Sequence, residues 1–246
     1  MAHRDEILAF ADELLDVASY PDYGPIGLQV VGADEVTAIA CGVSASRELF
    51  EHAAAIGAQL VLVHHGLFWD RDPRVVDAHM KGRLQALFDA DITLAAYHLA
   101  LDAHLEIGNN ALLARELGVT VEERFDVGIG GSLPEPTTAD AFTSLVRAQL
   151  GREPLAFLYG PAEIRRVAIV SGGAASRLQE AATAGYDVFL TGEPAEPAMM
   201  TARELGIHFV AAGHYATERL GVQALAARIA EEFDVTWSFI ELTNPV

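Results

Sequence analysis

The two halves of the chain repeat one order of segments, and this repeat constrains the fold more than any other feature. An apolar, β-branched run breaks into small residues after Thr37 ("TAIACGVSAS") and again after Arg165 ("RRVAIVSGGAAS"). Each run is followed by a helix-like segment, a second apolar run ("LVLVHHG" and "DVFLTGE"), a second helix and a third strand. Alternating strands and helices are typical of α/β units with mainly parallel strands. We therefore predict an α/β protein of two pseudo-repeated domains.

The predicted domains are residues 1–125 and residues 126–246. The boundary is placed at "DVGIGGSLPEPTTAD", which begins at Asp126 and is rich in the Gly and Pro residues that mark loops. Exchange of a strand between the two halves stays open as an alternative, because the repeat alone does not say which sheet each strand joins.

Local signals place the helix that follows the first apolar run of each repeat. Ser46 precedes "RELFEHAAAIGA" and Ser176 precedes "RLQEAATAGY", and serine is a favoured N-cap. Gly57 and Gly185 then stand where helices commonly end. We expect one helix in each of these two intervals.

Composition limits the location and the partners of the protein. The 246 residues contain no apolar run of the roughly 18 residues that a membrane span needs, and "MAHRDEILAF" lacks the layout of a signal peptide. Cys41 is the single cysteine, which excludes an internal disulfide and makes the cytoplasm the expected location. A net charge of −19 without a Lys/Arg cluster argues against direct nucleic-acid binding. We expect a cytoplasmic protein without membrane contact.

Histidines follow three of the predicted strands. His64 and His65 end "LVLVHHG", His98 follows "ITLAAY", and His214 follows "IHFVAAG". Open α/β sheets place their sites at the carboxyl ends of strands, so chemistry is expected at these positions. Adjacent residues in a strand point to opposite faces, so the double histidine converges only if the strand ends there, and Gly66 permits such a turn.

A carboxylate lies four residues after two of these histidines, at Asp102 and at Glu218. A four-residue step returns to the same side of a helix or a strand, so each pair offers an imidazole and a carboxylate to one centre. Such nitrogen and oxygen ligands suit Fe, Zn, Mn, Ni or Co, and their number suits two ions bridged by a carboxylate. The predicted metal ligands are His64, His65, Asp102, His214 and Glu218.

The remaining polar candidates carry competing interpretations. His104 and the pair Asn109-Asn110 either support the site or begin a helix, where asparagine caps well. Glu193, in "TGE", is either a further site carboxylate or the N-terminal charge of the next helix. Gly172 and Gly173 follow a strand but lack the full spacing of a phosphate-binding loop. The histidines for which we expect structural roles are His52, His79 and His208.

Three motifs make the chain resemble the NIF3-like family, also known as GTP cyclohydrolase I type 2 homologues or DUF34. The motifs are "LVLVHHGLFW", "AYHLALDAH" with "GNN", and "AAGHYATERLGVQAL", and the similarity runs from "IGLQVVG" to the C-terminus. The resemblance implies a two-domain α/β fold with a dinuclear metal centre in the interdomain cleft. It also implies the five ligands above with Glu218 as the bridging carboxylate, His98 as a completing or supporting residue, and a toroidal homohexamer. The chain departs from the family at Glu196, near a position where members often carry a histidine.

Two functions follow from the residues and the resemblance together. The first is a metal-dependent hydrolase, with some likeness to GTP cyclohydrolase, acting on an unidentified nucleotide or related small molecule. Two divalent ions would then polarise the substrate and acidify water, while His98 or Glu193 transfers protons as the catalytic residues. The second is a non-catalytic metal-binding protein, regulatory or scaffolding, that binds other proteins.

Overall fold

The computed structural model describes residues 1–246, which form 13 strands and nine α-helices. The strands are β1 (Ala2–His3), β2 (Gly27–Val30), β3 (Glu35–Val36), β4 (Ala38–Ser44), β5 (Leu60–His65), β6 (Thr93–Ala96), β7 (Thr120–Phe125), β8 (Gly128–Thr137), β9 (Leu155–Leu158), β10 (Ile164–Ile169), β11 (Val188–Thr191), β12 (His208–Ala211) and β13 (Thr236–Phe239). The helices are α1 (Arg4–Leu14), α2 (Arg47–Ala55), α3 (Ala78–Asp89), α4 (Leu99–Asp102), α5 (Asn109–Glu116), α6 (Ala139–Leu150), α7 (Leu178–Thr183), α8 (Ala198–Leu205) and α9 (His214–Phe233). None of these helices combines the length and the apolar character that a membrane span requires.

The chain forms two compact units. The first unit comprises Met1–Leu101 and Gly221–Leu242, and the second comprises Asp102–Leu220 and Thr243–Val246. The division therefore falls twice at helices, at the end of α4 and within α9.

The first unit is built on a five-stranded sheet in the order β13-β4-β5-β6-β2. The strands from β13 to β6 run parallel, and β2 lies antiparallel beside β6 at the edge. In β5, the four consecutive residues 60–63 are all buried. Burial without alternation is expected of a parallel strand that is covered on both faces, and it explains why the sequence reads as a continuous apolar run.

The second unit is built on a six-stranded sheet in the order β7-β8-β10-β11-β12-β9. Here β10, β11 and β12 run parallel, while β7, β8 and β9 join by antiparallel pairing. The parallel trio with an antiparallel edge strand, β10-β11-β12-β9, matches β4-β5-β6-β2 of the first unit. The predicted α/β fold of two repeated units with mainly parallel strands is thus confirmed.

The two units differ from the predicted halves at residues 125 and 126. That point lies in the turn of a hairpin, because β7 and β8 pair antiparallel with Phe125 opposite Gly128, and β8 continues the sheet through β10. The last strand of the chain pairs with the first unit instead, with Thr236 opposite Ala38. Strand exchange, which the repeat left open, therefore occurs.

The helix signals were correct in the first half and partly wrong in the second. The Ser46 hydroxyl accepts a hydrogen bond from the Leu49 amide and caps α2. Gly57 and Gly185 adopt positive φ, +71° and +78°, where each helix ends. Ser176 caps nothing, because it lies in a 3-10 turn, Ala175–Arg177, that runs directly into α7.

The parallel strands end at the positions that the sequence marked for chemistry. His65 is the last residue of β5, and His98 follows the end of β6 by two residues. In the second unit, Glu193 follows β11 by two residues, and His214 begins α9 shortly after β12. The fold therefore presents these side chains at the carboxyl edges of both sheets.

Candidate functional site

The double histidine converges because β5 ends. His64 is fully buried, and its Nδ1 donates a hydrogen bond to the Tyr97 carbonyl oxygen at 2.9 Å. The His65 Nδ1 lies 3.0 Å from the Ser44 hydroxyl, which can donate or accept. The two ring centroids are 4.8 Å apart. The end of the strand thus brings two adjacent imidazoles to one place, as the sequence predicted for a strand that stops at Gly66.

His98 completes a cluster of three imidazoles, which we call the histidine cluster (His64, His65 and His98). The His98 ring centroid lies 4.9 Å from that of His64 and 5.5 Å from that of His65. One ring nitrogen from each residue lies within 4.8 Å of the other two, so this group could hold a metal ion.

Asp22 holds His98, and sequence reasoning did not identify it. The Asp22 carboxylate accepts a hydrogen bond from His98 Nδ1 at 2.7 Å, and its other oxygen accepts the Leu99 amide at 2.9 Å. Burial alone would raise the Asp22 pKa, but the hydrogen bonds from the His98 ring and from backbone amides leave it lowered. Asp22 is therefore a stable anion that orients the ring of His98.

The partners of two of these imidazoles fix which nitrogen can bind a metal. A carbonyl oxygen only accepts hydrogen bonds, so His64 carries its proton on Nδ1 and its lone pair on Nε2. The Asp22 carboxylate imposes the same arrangement on His98. Metal-binding histidines commonly use one ring nitrogen and donate the other to a carbonyl or a carboxylate. The chemistry of the histidine cluster therefore fits a metal ion.

Gln29 fixes the turn that follows the double histidine. Its side-chain oxygen accepts the Leu67 amide at 2.7 Å, and its side-chain nitrogen donates to the Pro25 carbonyl at 2.9 Å. A Cβ at Gly66 would overlap the Gln29 side-chain amide and displace it, so glycine at this position leaves room for that amide. This amide thus ties the end of β5 to the loop that carries Asp22.

Asp102 is held in the second unit by a buried network. Its Oδ1 accepts hydrogen bonds from the Asn109 side chain at 2.8 Å and from the Ser171 hydroxyl at 3.2 Å. Asn110 donates to the Asp102 carbonyl oxygen and accepts the Ser171 amide. The open alternative for Asn109-Asn110 is thereby decided, because both amides support Asp102 while Gly108 is the N-cap of α5.

Glu218 and His214 lie one turn apart on α9, as the four-residue spacing predicted. His214 Nε2 is 2.9 Å from a Glu218 oxygen, and His214 Nδ1 is 2.5 Å from a Glu193 oxygen. One ligand oxygen of Asp102 lies within 4.8 Å of one of Glu218. Asp102, His214 and Glu218, which we call the carboxylate cluster, therefore meet around Glu218, whose side chain is almost entirely buried.

His214 is cationic at neutral pH in this arrangement. Burial lowers its pKa, but the hydrogen bonds and negative charges of Glu218 and Glu193 outweigh burial and raise the pKa to about 9. Glu193 accepts a hydrogen bond from His214 Nδ1, so Nε2 is the nitrogen that would bind a metal. The proton on Nε2 would have to leave first. Glu193 lies outside the first turn of α8, which begins at Ala198, so it does not serve as the N-terminal charge of that helix.

Gly172 makes the close approach to Glu218 possible. It adopts a positive φ of +67°, and a Cβ there would overlap the Glu218 carboxylate and press on His214 Nε2. Its carbonyl accepts the amides of Gly192 and Glu193, which ties the ends of β10 and β11 together. The glycine pair after β10 is explained by this approach and not by a phosphate-binding loop.

The other histidines have structural surroundings. His208 is buried, with its ring between the Gly160 amide at 3.1 Å and the Pro161 carbonyl at 2.8 Å. The His104 ring accepts two backbone amides just before α5 and so belongs to a local turn. His52 and His79 lie on exposed helix positions, and Glu196 is also exposed.

Comparisons with known proteins agree with one another along nearly the whole chain. Residues 2–245 match the sequence profile of the family described as Duf34/NIF3 (NGG1p interacting factor 3). A Pseudomonas aeruginosa protein named GTP cyclohydrolase 1 type 2 homolog is 46% identical over 241 residues, which cover 96% of this chain and 95% of that protein. A solved structure described as protein ybgI, unknown function, is 42% identical with a TM-score of 0.97, and TTHA1606 from Thermus thermophilus is 35% identical with a TM-score of 0.94. Both structures cover 100% of this chain and are covered by it in full.

Replacing Gly172 by alanine tests the close approach. Gly172→Ala and its control Gly206→Ala impose the same positive φ, and nothing lies within 4 Å of a Cβ at Gly206. Each should therefore lower the free energy of unfolding by about 1–2 kcal/mol through backbone strain. Only Gly172→Ala should also displace the Glu218 carboxylate and reduce bound metal, measured by elemental analysis. Equal metal content in the two variants would refute this role of Gly172.

The charge on His214 predicts a pH dependence in metal-free protein. The folded pKa of about 9 lies above the ordinary value of 6.5, so the stabilisation is complete below pH 6.5 and is lost as pH rises through 9. Urea unfolding in the presence of a chelator should show this decline between about pH 6.5 and pH 9.5. His214→Gln should lack that part of the decline. Parallel curves for the two proteins would contradict the assignment.

Proposed function

Because this chain belongs to the Duf34/NIF3 family, we propose that it binds two divalent metal ions and hydrolyses a small molecule. The proposed ligands are His64 and His65 of the first unit and Asp102, His214 and Glu218 of the second. Glu218 is the proposed bridging carboxylate, because it is the member of its cluster with both a histidine and a second carboxylate close by. The nitrogen and oxygen donors fit Fe, Zn, Mn, Ni or Co.

One observation carries this proposal: groups that could bind metal are held in place by hydrogen bonds with residues that are not themselves proposed ligands. The Tyr97 carbonyl oxygen accepts a hydrogen bond from His64 Nδ1, which directs the lone pair of that ring to Nε2, and Asp102 is fixed by Asn109 and Ser171. Such outer hydrogen bonds usually orient metal ligands. Burying imidazoles and carboxylates at the carboxyl ends of the strands costs free energy unless these groups are paired or coordinate a metal.

The residues around the ligands supply the remaining chemistry. Divalent ions would polarise a carbonyl or phosphoryl oxygen of the substrate and make water a better nucleophile near neutral pH. Asp22 accepts a hydrogen bond from His98 Nδ1, so the lone pair of the His98 ring lies on Nε2. That nitrogen can accept a proton and return it to a leaving group. Glu193 holds the Nδ1 proton of His214 and so orients that imidazole, besides being a second candidate for proton transfer.

The substrate class follows from the relatives by analogy. Several curated relatives are named GTP cyclohydrolase 1 type 2 homolog, so a nucleotide or a related small molecule is the proposed substrate. The second candidate is a non-catalytic metal-binding protein with protein partners, which the words "interacting factor" in the family description favour. Turnover that disappears with a chelator and returns with metal supports the enzyme, and full metal content without turnover on nucleotides, phosphoesters and amides supports the second candidate.

Glu218→Gln should separate the ligands from the scaffold. The substitution keeps volume and polarity but removes the bridging charge, so two nearby cations would repel and at least one should bind more weakly. Elemental analysis should show a loss of about half or more of the metal, together with the loss of any turnover.

The matched control is His208→Gln in β12. His208 is a buried histidine whose ring contacts backbone groups near residue 160, so its replacement should lower stability and leave metal content intact. Full metal in Glu218→Gln, or loss of metal in His208→Gln, would show that the division between ligands and structural residues is wrong.

A further inference from the structure

The loop of residues 66–77, which follows the double histidine and has no counterpart in the second unit, forms an apolar groove within the first unit. Its walls are Pro25, Leu67, Phe68, Trp69, Val75 and Val76. Val75 and Val76 are 67% and 63% exposed as residues, and Phe68 is 37% exposed. Apolar side chains clustered at the surface commonly mark a binding site. The loop therefore presents apolar surface that the core does not use.

Backbone hydrogen bonds hold the loop in shape. The Asp70 amide donates to the Tyr23 carbonyl oxygen at 2.7 Å, and the Asp72 amide donates to the Trp69 carbonyl oxygen at 3.0 Å. The Val75 amide donates to the Pro73 carbonyl oxygen at 2.8 Å. These hydrogen bonds fix the backbone that shapes the groove, and binding sites for small molecules are usually shaped by the protein itself.

Trp69 connects the groove to the histidine cluster. Its ring meets the His98 ring edge to face, with centroids 5.2 Å apart and an interplanar angle of 87°. The His65 ring centroid lies 6.1 Å away. Trp69 and Phe68 also line a smaller pocket whose walls include His64 and His98. A molecule whose polar group reaches the histidine cluster could therefore place its remaining part in the groove.

Shape and charge select the class of that part. A tryptophan ring offers a flat apolar face on which planar rings stack favourably. The charged residues lining the groove are Arg74, Asp70 and Asp72, so the rim carries both signs and favours no strongly charged group. The groove suits an uncharged aromatic or heteroaromatic ring.

We propose that this groove binds a flat, uncharged ring of the substrate against Trp69, while the polar group of the same molecule points to the histidine cluster. This inference rests on the proposed function, because the bound molecule is a substrate only if the protein is an enzyme. It assigns residues 66–77 to substrate selection.

The test compares phenyl phosphate, which carries a ring, with inorganic phosphate, which does not. Calorimetry on metal-supplemented full-length protein should show phenyl phosphate binding at least about tenfold more tightly. Trp69→Ala should weaken phenyl phosphate about tenfold, the size expected from the loss of one stacking contact. It should leave inorganic phosphate and metal content unchanged, and Trp69→Phe should restore most of the difference. Trp237→Ala replaces the second of the two tryptophans, on β13, and should change neither affinity.

The affinities of the two probes, the molecular mass and the metal content together decide whether the groove binds a ring of the substrate. Equal affinity for the two probes in native protein, or unchanged phenyl phosphate affinity in Trp69→Ala, overturns it. Val76→Asp supplies another arm: a fall in molecular mass by light scattering with unchanged phenyl phosphate affinity assigns the groove to a contact between copies and overturns the proposal. A chain that holds no metal but binds phenyl phosphate through Trp69 supports the ring site while refuting the proposed function. A chain that binds neither metal nor phenyl phosphate refutes both.

Discussion

The buried hydrogen bond from the His64 ring to the Tyr97 carbonyl oxygen, 2.9 Å long, fixes the orientation of a candidate metal-binding imidazole at the carboxyl edge of the first unit's sheet. The Tyr97 amide donates a hydrogen bond to the Val63 carbonyl oxygen and extends the pairing of β5 with β6, so the same residue continues the sheet and orients the His64 ring. Its hydroxyl donates to Asp12 at 2.9 Å and anchors α1. An imidazole buried here without that carbonyl would lose a hydrogen bond at a cost of about 1–3 kcal/mol. Tyr97 therefore links the pairing of β5 with β6, the position of α1 and the orientation of the His64 ring.

In the second unit, a glycine after β10 and a helix, α9, position the candidate metal-binding side chains. The ends of β10 and β11 are joined through the Gly172 carbonyl, and its missing side chain leaves room for the Glu218 carboxylate. Glu218 belongs to a helix and not to a strand, so its position follows from where α9 starts. The two units share a topology but supply different donors, mostly imidazoles in the first and mostly carboxylates in the second.

The repeat was sufficient to predict the fold class, and the four-residue step correctly paired His214 with Glu218 on α9. The same step paired His98 with Asp102, but His98 is held by Asp22, and Asp102 is held by Asn109 and Ser171. Strand-end positions and four-residue steps are local properties, and local properties are readable in a sequence. Asp22 was missed because it lies 76 residues from His98 in a loop without periodicity. The predicted boundary at residues 125 and 126 differs from the division between the compact units, because β7 and β8 form a hairpin across residues 125 and 126 and hairpin pairing depends on sheet register. The ring of six copies that the resemblance implies stays a prediction, since nothing in a single chain tests it.

We propose that His64, His65, Asp102, His214 and Glu218 are the ligands of two metal ions. Elemental analysis of the full chain, purified without chelator and supplemented with divalent metal before removal of the excess, tests this claim most directly. We expect a ratio approaching two ions per chain. A reproducible ratio near zero would contradict the metal site, and a ratio that saturates at one would contradict the bridged pair.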